Sequence, residues 1–197
     1  DLKIDFENLS DNICPQISFL KLEIENIPEI YKDSLDNYFK DLSVNKNNFF
    51  TDVSNYLSYE TGQPTHCYDA NKMGGKLSFH EIEKNEEFET LLDKKITLSG
   101  KNSVFSLNDN IINLAGIVGG KSTSCSTNTK TVIVECAFFQ PEAIIGKSVK
   151  YDIQSEASHK FERGVDPECH EKVLRRFIKI ISEHANIKEM SVSSHKY

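Results

Sequence analysis

Between Ile17 and Ile27, apolar residues (Ile17, Phe19, Leu22, Ile24, Ile27) recur among charged ones. Alternation at every second position predicts a strand with one buried face, and the slip at Leu20-Lys21-Leu22 predicts a bulge. From Pro28 to Leu42 the period changes. Apolar residues at 30, 31, 35, 38, 39 and 42 have helical spacing, with Pro28 placed in a first turn. Ser43 to Asn48 reads as a polar loop. Phe50 to Glu60 reads as a second helix, with Thr51 or Asp52 near its start and Gly62 as its stop.

Gly62-Gln63-Pro64-Thr65-His66 breaks regular structure. Short strands then follow at Lys76–Ile82, Phe88–Leu91, Lys94–Leu98, Ser103–Leu107 and Ile111–Ala115. Their connections are too short for crossovers, which predicts an antiparallel meander. Gly116 to Asn128 reads as a loop. The β-branched run Thr131 to Val134 opens a buried strand that continues through Glu135, Cys136, Ala137, Phe138 and Phe139. Pro141 to Tyr151 is expected to be a short helix. Glu168 to His184 is the clearest helix, with Val173, Leu174, Phe177, Ile178 and Ile181 as its apolar stripe. Lys172, Arg175, Arg176 and Lys179 lie mostly elsewhere and read as a solvated face. Residues 1–12 read as a loose lead-in, 13–185 as the domain proper and 186–197 as a C-terminal extension.

No segment approaches the roughly 20 apolar residues of a membrane helix, and no signal-peptide pattern is present. The chain begins at Asp1, which points to a piece of a longer protein. Its five cysteines are odd in number, widely spaced and free of any Cys-x-x-Cys. That pattern speaks against a disulfide framework or structural zinc, and for a reducing compartment. A net charge of -7 makes the chain by itself a weak binder of polyanions. Were it to handle RNA, another part of the parent would have to hold that RNA.

Glu135 interrupts an apolar run. A lone buried carboxylate costs several kcal/mol unless it is paired or shifts its pKa. One reading is a strand-end Glu paired with a nearby Lys or Arg. The other is a carboxylate kept for a ligand. His66, in a Pro-fixed segment, suits proton handling, or else closes a loop structurally. A Cys–His nucleophilic pair with Cys67 or Cys136 is disfavoured, since adjacent residues rarely face each other. Gly116-Ile117-Val118-Gly119-Gly120 lacks the frame of a phosphate loop despite Lys121-Ser122. Its glycines either admit a close approach to the backbone or serve a turn. Ser155, Glu156 and Ser158 could cap a helix or line a cavity, and Arg163 and Asp166 are expected to pair across Gly164.

Five stretches together resemble a known family. They are Asp52-Val53-Ser54-Asn55-Tyr56, Gly62-Gln63-Pro64-Thr65-His66-Cys67-Tyr68-Asp69, Leu114-Ala115-Gly116-Ile117-Val118-Gly119-Gly120, Glu135-Cys136-Ala137-Phe138-Phe139 and the run from Ala157 to Pro167. In order and spacing they look like the B3/B4 domain of the bacterial phenylalanyl-tRNA synthetase β subunit. The resemblance implies an α+β fold with a layered, mainly antiparallel β core and packed helices. It implies an editing activity, hydrolysis of tyrosine wrongly esterified to tRNA(Phe), within a parent that ligates phenylalanine to that tRNA.

Carried onto this chain, the resemblance makes Glu135 the acceptor of the tyrosine phenol. It makes His66 and Ser155 the catalytic residues, and Gly116, Gly119, Ala157 and Pro64 part of the pocket. It implies no metal or cofactor in this domain, ATP and magnesium for the parent, tRNA(Phe) and the synthetase α subunit as partners, no membrane, and a cytoplasmic location. The chain departs from the family at Ser155-Glu156, where Thr-Asp is usual, and at Asn45-Lys46-Asn47, where an Arg-containing segment is usual. The alternative is a structural or RNA-docking module with a decayed pocket.

Overall fold

Alternating faces explain the architecture better than any single helix does. A computed structural model describes all 197 residues. In chain order it contains β1 (Phe6–Asn8), β2 (Gln16–Ile24), α1 (Asp33–Asp41), α2 (Phe49–Thr61), β3 (His66–Asp69), β4 (Leu77–Glu83), β5 (Glu86–Glu89) and β6 (Lys95–Leu98). There follow β7 (Lys101–Leu107), β8 (Asn110–Leu114), β9 (Val118–Gly119), β10 (Thr131–Phe138), α3 (Pro141–Ile144), α4 (Lys147–Lys150), α5 (Glu156–Phe161), α6 (His170–His184) and β11 (Ile187–Lys196). The fold is α+β, as expected.

One sheet runs β11-β2-β10-β3 and is antiparallel throughout. A second runs β1-β4-β7-β8-β9, antiparallel except for the parallel β1–β4 pair. The β5–β6 hairpin stands apart. On β10, Ile133 and Ala137 face a core shared with the second sheet, where Phe79 and Phe139 stack at 5.7 Å. Val132, Val134 and Cys136 face a separate core beneath α2 and α6. The first sheet is therefore the middle of three layers. Its central strands are buried on both faces, which is why β10 is apolar without alternation.

That burial also corrects the expected bulge in β2. The β2–β10 register runs unbroken from Gln16 to Glu23. Ile17 and Phe19 enter one core and Leu20, Leu22 and Ile24 the other. The break in alternation arises because both faces are covered, and the register shift lies on β11, between Ile187 and Glu189. The expected lead-in and C-terminal extension are likewise structured: residues 6–8 and 187–196 add strands β1 and β11 to the two sheets.

α1 starts five residues later than Pro28, at Asp33. α2 is capped by Asn48, whose side chain accepts from the Thr51 N–H, and it ends at Gly62 with φ 79°. The expected helix after Pro141 is split by Gly146, at φ 81°, into α3 and α4. On α6, Val173, Leu174, Phe177, Ile180 and Ile181 are buried, so Ile180 joins the expected stripe, while Ile178 packs half-buried at its margin. Arg176 grips Glu60 of α2 through two hydrogen bonds of 2.9 Å.

Candidate active site between the two sheets

Glu135 lies in the middle of β10, not at its end, directly across from His66 of β3. Because side chains repeat every second residue, His66 and Tyr68 project from β3 to the same face as Glu135. Glu135 is only 5% exposed. No Lys or Arg pairs with it, so the ion-pair reading is overturned. Its partner is a phenol: the Tyr68 hydroxyl donates to Oε2 at 2.6 Å. Asn113 of β8, in the opposing sheet, donates from Nδ2 to the Tyr68 hydroxyl oxygen at 2.8 Å. Glu135 Oε1 has no hydrogen bond within the chain. Burial pushes the Glu135 pKa up to about 7, and the Tyr68 hydrogen bond acts in the opposite sense.

His66 forms part of strand β3, not of the irregular segment before it. Its ring meets Tyr68 edge-on, with centroids 4.4 Å apart. His66 Nε2 is sealed from solvent and has no hydrogen-bond partner. Burial lowers the His66 pKa to about 4, so the ring is neutral at pH 7. A buried polar atom left unpaired is uncommon and calls for an explanation.

Gly119 makes room for this ring. A Cβ there would lie 2.2 Å from His66 Cε1, 2.8 Å from Nε2 and 2.9 Å from Leu91 Cδ2. Only glycine lets the imidazole rest on the β9 backbone. The Leu91 N–H bonds the Gly119 carbonyl at 2.9 Å and carries the tip of the β5–β6 hairpin over the same spot.

The remaining expected residues form a supporting cluster. Ser155 caps α5 by accepting from the Ser158 N–H at 3.0 Å, and it donates to the Ile117 carbonyl at 2.8 Å. Its hydroxyl thus ties the Gly116–Gly120 turn to α5 and does not bond His66 or Glu135. Gly116, at φ 71°, packs under α3 and α5, where a Cβ would meet Ile144 at 2.8 Å. Ala157 packs against the inter-sheet core. Pro64 is buried, and its carbonyl accepts from Gln63 Nε2, which also donates to the Ala137 carbonyl. That pair of bonds fastens the segment before β3 to the end of β10.

Three neighbours of the site were not expected. Tyr68 becomes legible once β3 is seen as a strand, since it stands two residues from His66. Asn113 is a polar residue between Ile112 and Leu114 in a strand, which marks a buried amide. Nothing in the sequence marks Leu91.

Two further expectations do not hold. Arg163 bonds the His159 carbonyl at 2.8 Å, while Asp166 accepts from the Glu168 N–H, so the two do not pair. In the Asn45-Lys46-Asn47 segment, Lys46 sits 4.5 Å from the Tyr31 ring centre, and the Asn47 N–H bonds the buried Asp52. The segment docks on the helical layer. A hollow of about 340 Å³ elsewhere is lined by Glu81, Lys101, Asn102 and Lys147 among others. It contains none of the groups described above. No helix is long and apolar enough to cross a membrane.

Comparison with known proteins gives the family to which this fold belongs. The family model of the B3/4 domain matches residues 19–186, and the chain belongs to that family. Its curated relatives are phenylalanine–tRNA ligase beta subunits. The one from Francisella tularensis is 38% identical over 138 residues, covering 70% of this chain and 17% of the relative. The one from Bordetella pertussis is 39% identical over 138 residues, covering 68% and 17%. The chain therefore spans about a sixth of the length of these subunits. Among solved structures, an N-terminal fragment of the phenylalanyl-tRNA synthetase beta subunit from Pyrococcus horikoshii matches with a TM-score of 0.54 at 11% identity. It covers 98% of this chain and 52% of that one, and the likeness is one of fold.

Proposed function

We propose that this chain is the editing domain of a phenylalanine–tRNA ligase beta subunit and hydrolyses the ester of tyrosine mischarged on tRNA(Phe). The observation that carries the reading is Glu135: a buried carboxylate with no counter-ion and one oxygen free of any partner in the chain. Tyrosine and phenylalanine differ by one hydroxyl. A phenol supplies the donor Oε1 lacks, whereas a phenylalanine ring would leave that oxygen desolvated and unpaired. Sites that hydrogen-bond a substrate hydroxyl reject the analogue lacking it by about 10⁴ to 10⁵.

Hydrolysis adds water to the ester carbonyl carbon and releases the ribose oxygen, which takes up a proton. In this reading substrate binding uncovers the neutral His66, whose unpaired Nε2 then offers one hydrogen bond to the attacking water or the substrate. Its depressed pKa makes it a positioning group rather than a strong base. Ser155 contributes by fixing the Gly116–Gly120 turn on which the His66 ring rests. The water is held by protein and tRNA groups together. In this reading the parent ligates phenylalanine with ATP and magnesium in the cytoplasm, alongside an α subunit, and holds the tRNA that this acidic domain cannot hold alone.

Deacylation of tyrosyl-tRNA(Phe) by the full-length enzyme tests the reading. Glu135→Ala should lose discrimination between tyrosyl and phenylalanyl esters. A variant that clears only the tyrosyl ester, as fast as wild type, removes Glu135 from the role. The alternative, a decayed pocket in a docking module, draws on Tyr68 already occupying one oxygen of Glu135. A wild-type enzyme that clears no tyrosyl ester decides for it.

A further inference from the structure

Tyr68 has no task in the reading above, yet it is fully buried and its hydroxyl makes two of the hydrogen bonds at the heart of the site. We infer that Tyr68, oriented by Asn113, is the positioning residue that holds Glu135 with one oxygen occupied and the other open to a single substrate phenol. The inference rests on the editing reading and adds how the acceptor is set.

The argument is one of hydrogen-bond direction. An amide nitrogen can only donate, so Asn113 Nδ2 takes a lone pair of the Tyr68 oxygen. The Tyr68 proton is then left to point at Glu135. Either form of the carboxyl can accept it at Oε2, but the ionised form accepts it more strongly. The chain Asn113 to Tyr68 to Glu135 thus has a polarity that favours the ionised carboxyl and leaves Oε1 without a donor from the chain. Tyr68 also shows the chemistry in miniature, since a phenol already sits on this carboxylate at 2.6 Å. A ligand bringing its own hydroxyl completes the chain.

The titratable groups around Glu135 do not supply that donor. They are His66 and Tyr68 on β3, Cys14 ahead of β2, and Cys67 and Cys136. Burial keeps the three thiols protonated and His66 neutral.

The experiment compares wild type with Tyr68→Phe, in two readouts. The first is the pH profile of kcat/KM for tyrosyl-tRNA(Phe) deacylation by the full-length enzyme. The second is direct titration of the Glu135 carboxyl carbon by NMR in this chain. Removing a hydrogen bond that favours the ionised form should raise the midpoint of both curves by about one pH unit. Activity then falls roughly tenfold at pH 6.5, a loss fitting a hydrogen bond to a charged group, and largely recovers by pH 8.5. A merely structural Tyr68 would lower activity equally at every pH, and an unmoved carboxyl titration overturns the inference. Asn113→Ala, expected to move both curves the same way by less, decides the question if Tyr68→Phe does not fold. A wild-type enzyme inactive at every pH sinks the editing reading, and with it the substrate role of Tyr68. The carboxyl titration then still decides whether Tyr68 sets Glu135.

Discussion

Replacing Glu135 by Gln should make the protein's stability depend differently on pH, in a direction that only desolvation explains. The Glu135 pKa stands at about 7 in the folded chain against an ordinary 4.5. A carboxyl whose folded pKa is raised contributes its full stability below 4.5, and that contribution is lost as the pH rises through 7. One pH unit is about 1.4 kcal/mol, so the wild type loses roughly 3 kcal/mol across this window. The substituted amide would carry no charge and could still accept the Tyr68 hydroxyl. The stability of Glu135→Gln relative to wild type should therefore improve by roughly 3 kcal/mol between pH 4.5 and pH 8.

His66 acts in the other direction. Its pKa is depressed to about 4, so its stabilisation is present above 6.5 and lost as the pH falls through 4. It is common to both proteins and cancels in the difference. The assay is urea unfolding of both chains at half-unit steps of pH. A flat difference would mean that Glu135 titrates as an ordinary carboxyl. A difference of opposite slope would mean that it is paired with a cation. Either result refutes the argument.

Gly119→Ala should displace the His66 ring, because the added Cβ would lie 2.2 Å from Cε1. Expected are a stability loss of about 1–3 kcal/mol from overpacking and a drop in deacylation of order 10²-fold, and wild-type deacylation would show that the ring position does not matter. Gly62→Ala meets nothing within 4 Å but must hold φ 79°, so thermal unfolding should register only the backbone cost of about 1–2 kcal/mol. Phe177→Ala empties the centre of the core under α2 and α6. It should cost about 3–5 kcal/mol by chemical denaturation, and a loss below about 1 kcal/mol would show that α6 is not anchored there.

Much of this protein is written locally. The 3.6-residue periodicity of α6, the Gly62 stop of α2 and the β-branched opening of β10 each act within a few residues, so their elements follow from the sequence. The oddity of Glu135 in an apolar strand, and the resemblance of five ordered motifs, mark the site and the family before any coordinates. Other features depend on what covers them. β2 looks bulged until both of its faces are seen to be buried. The terminal segments become strands because the sheets offer them free edges, and main-chain pairing of that kind leaves no periodic trace in so short a strand as β1.

The partner of Glu135 could not be read from the chain. Tyr68 stands 67 residues before it and Asn113 comes from the opposite sheet. The sequence marked a carboxylate in an apolar strand, and the family resemblance grouped a histidine and glycines with it. Tertiary structure alone decided that a phenol, not a lysine, meets it, and that Gly119 lies beneath His66. The reason is physical. Strand periodicity sets which face a side chain takes, but the groups facing it across the core are chosen by how two sheets pack.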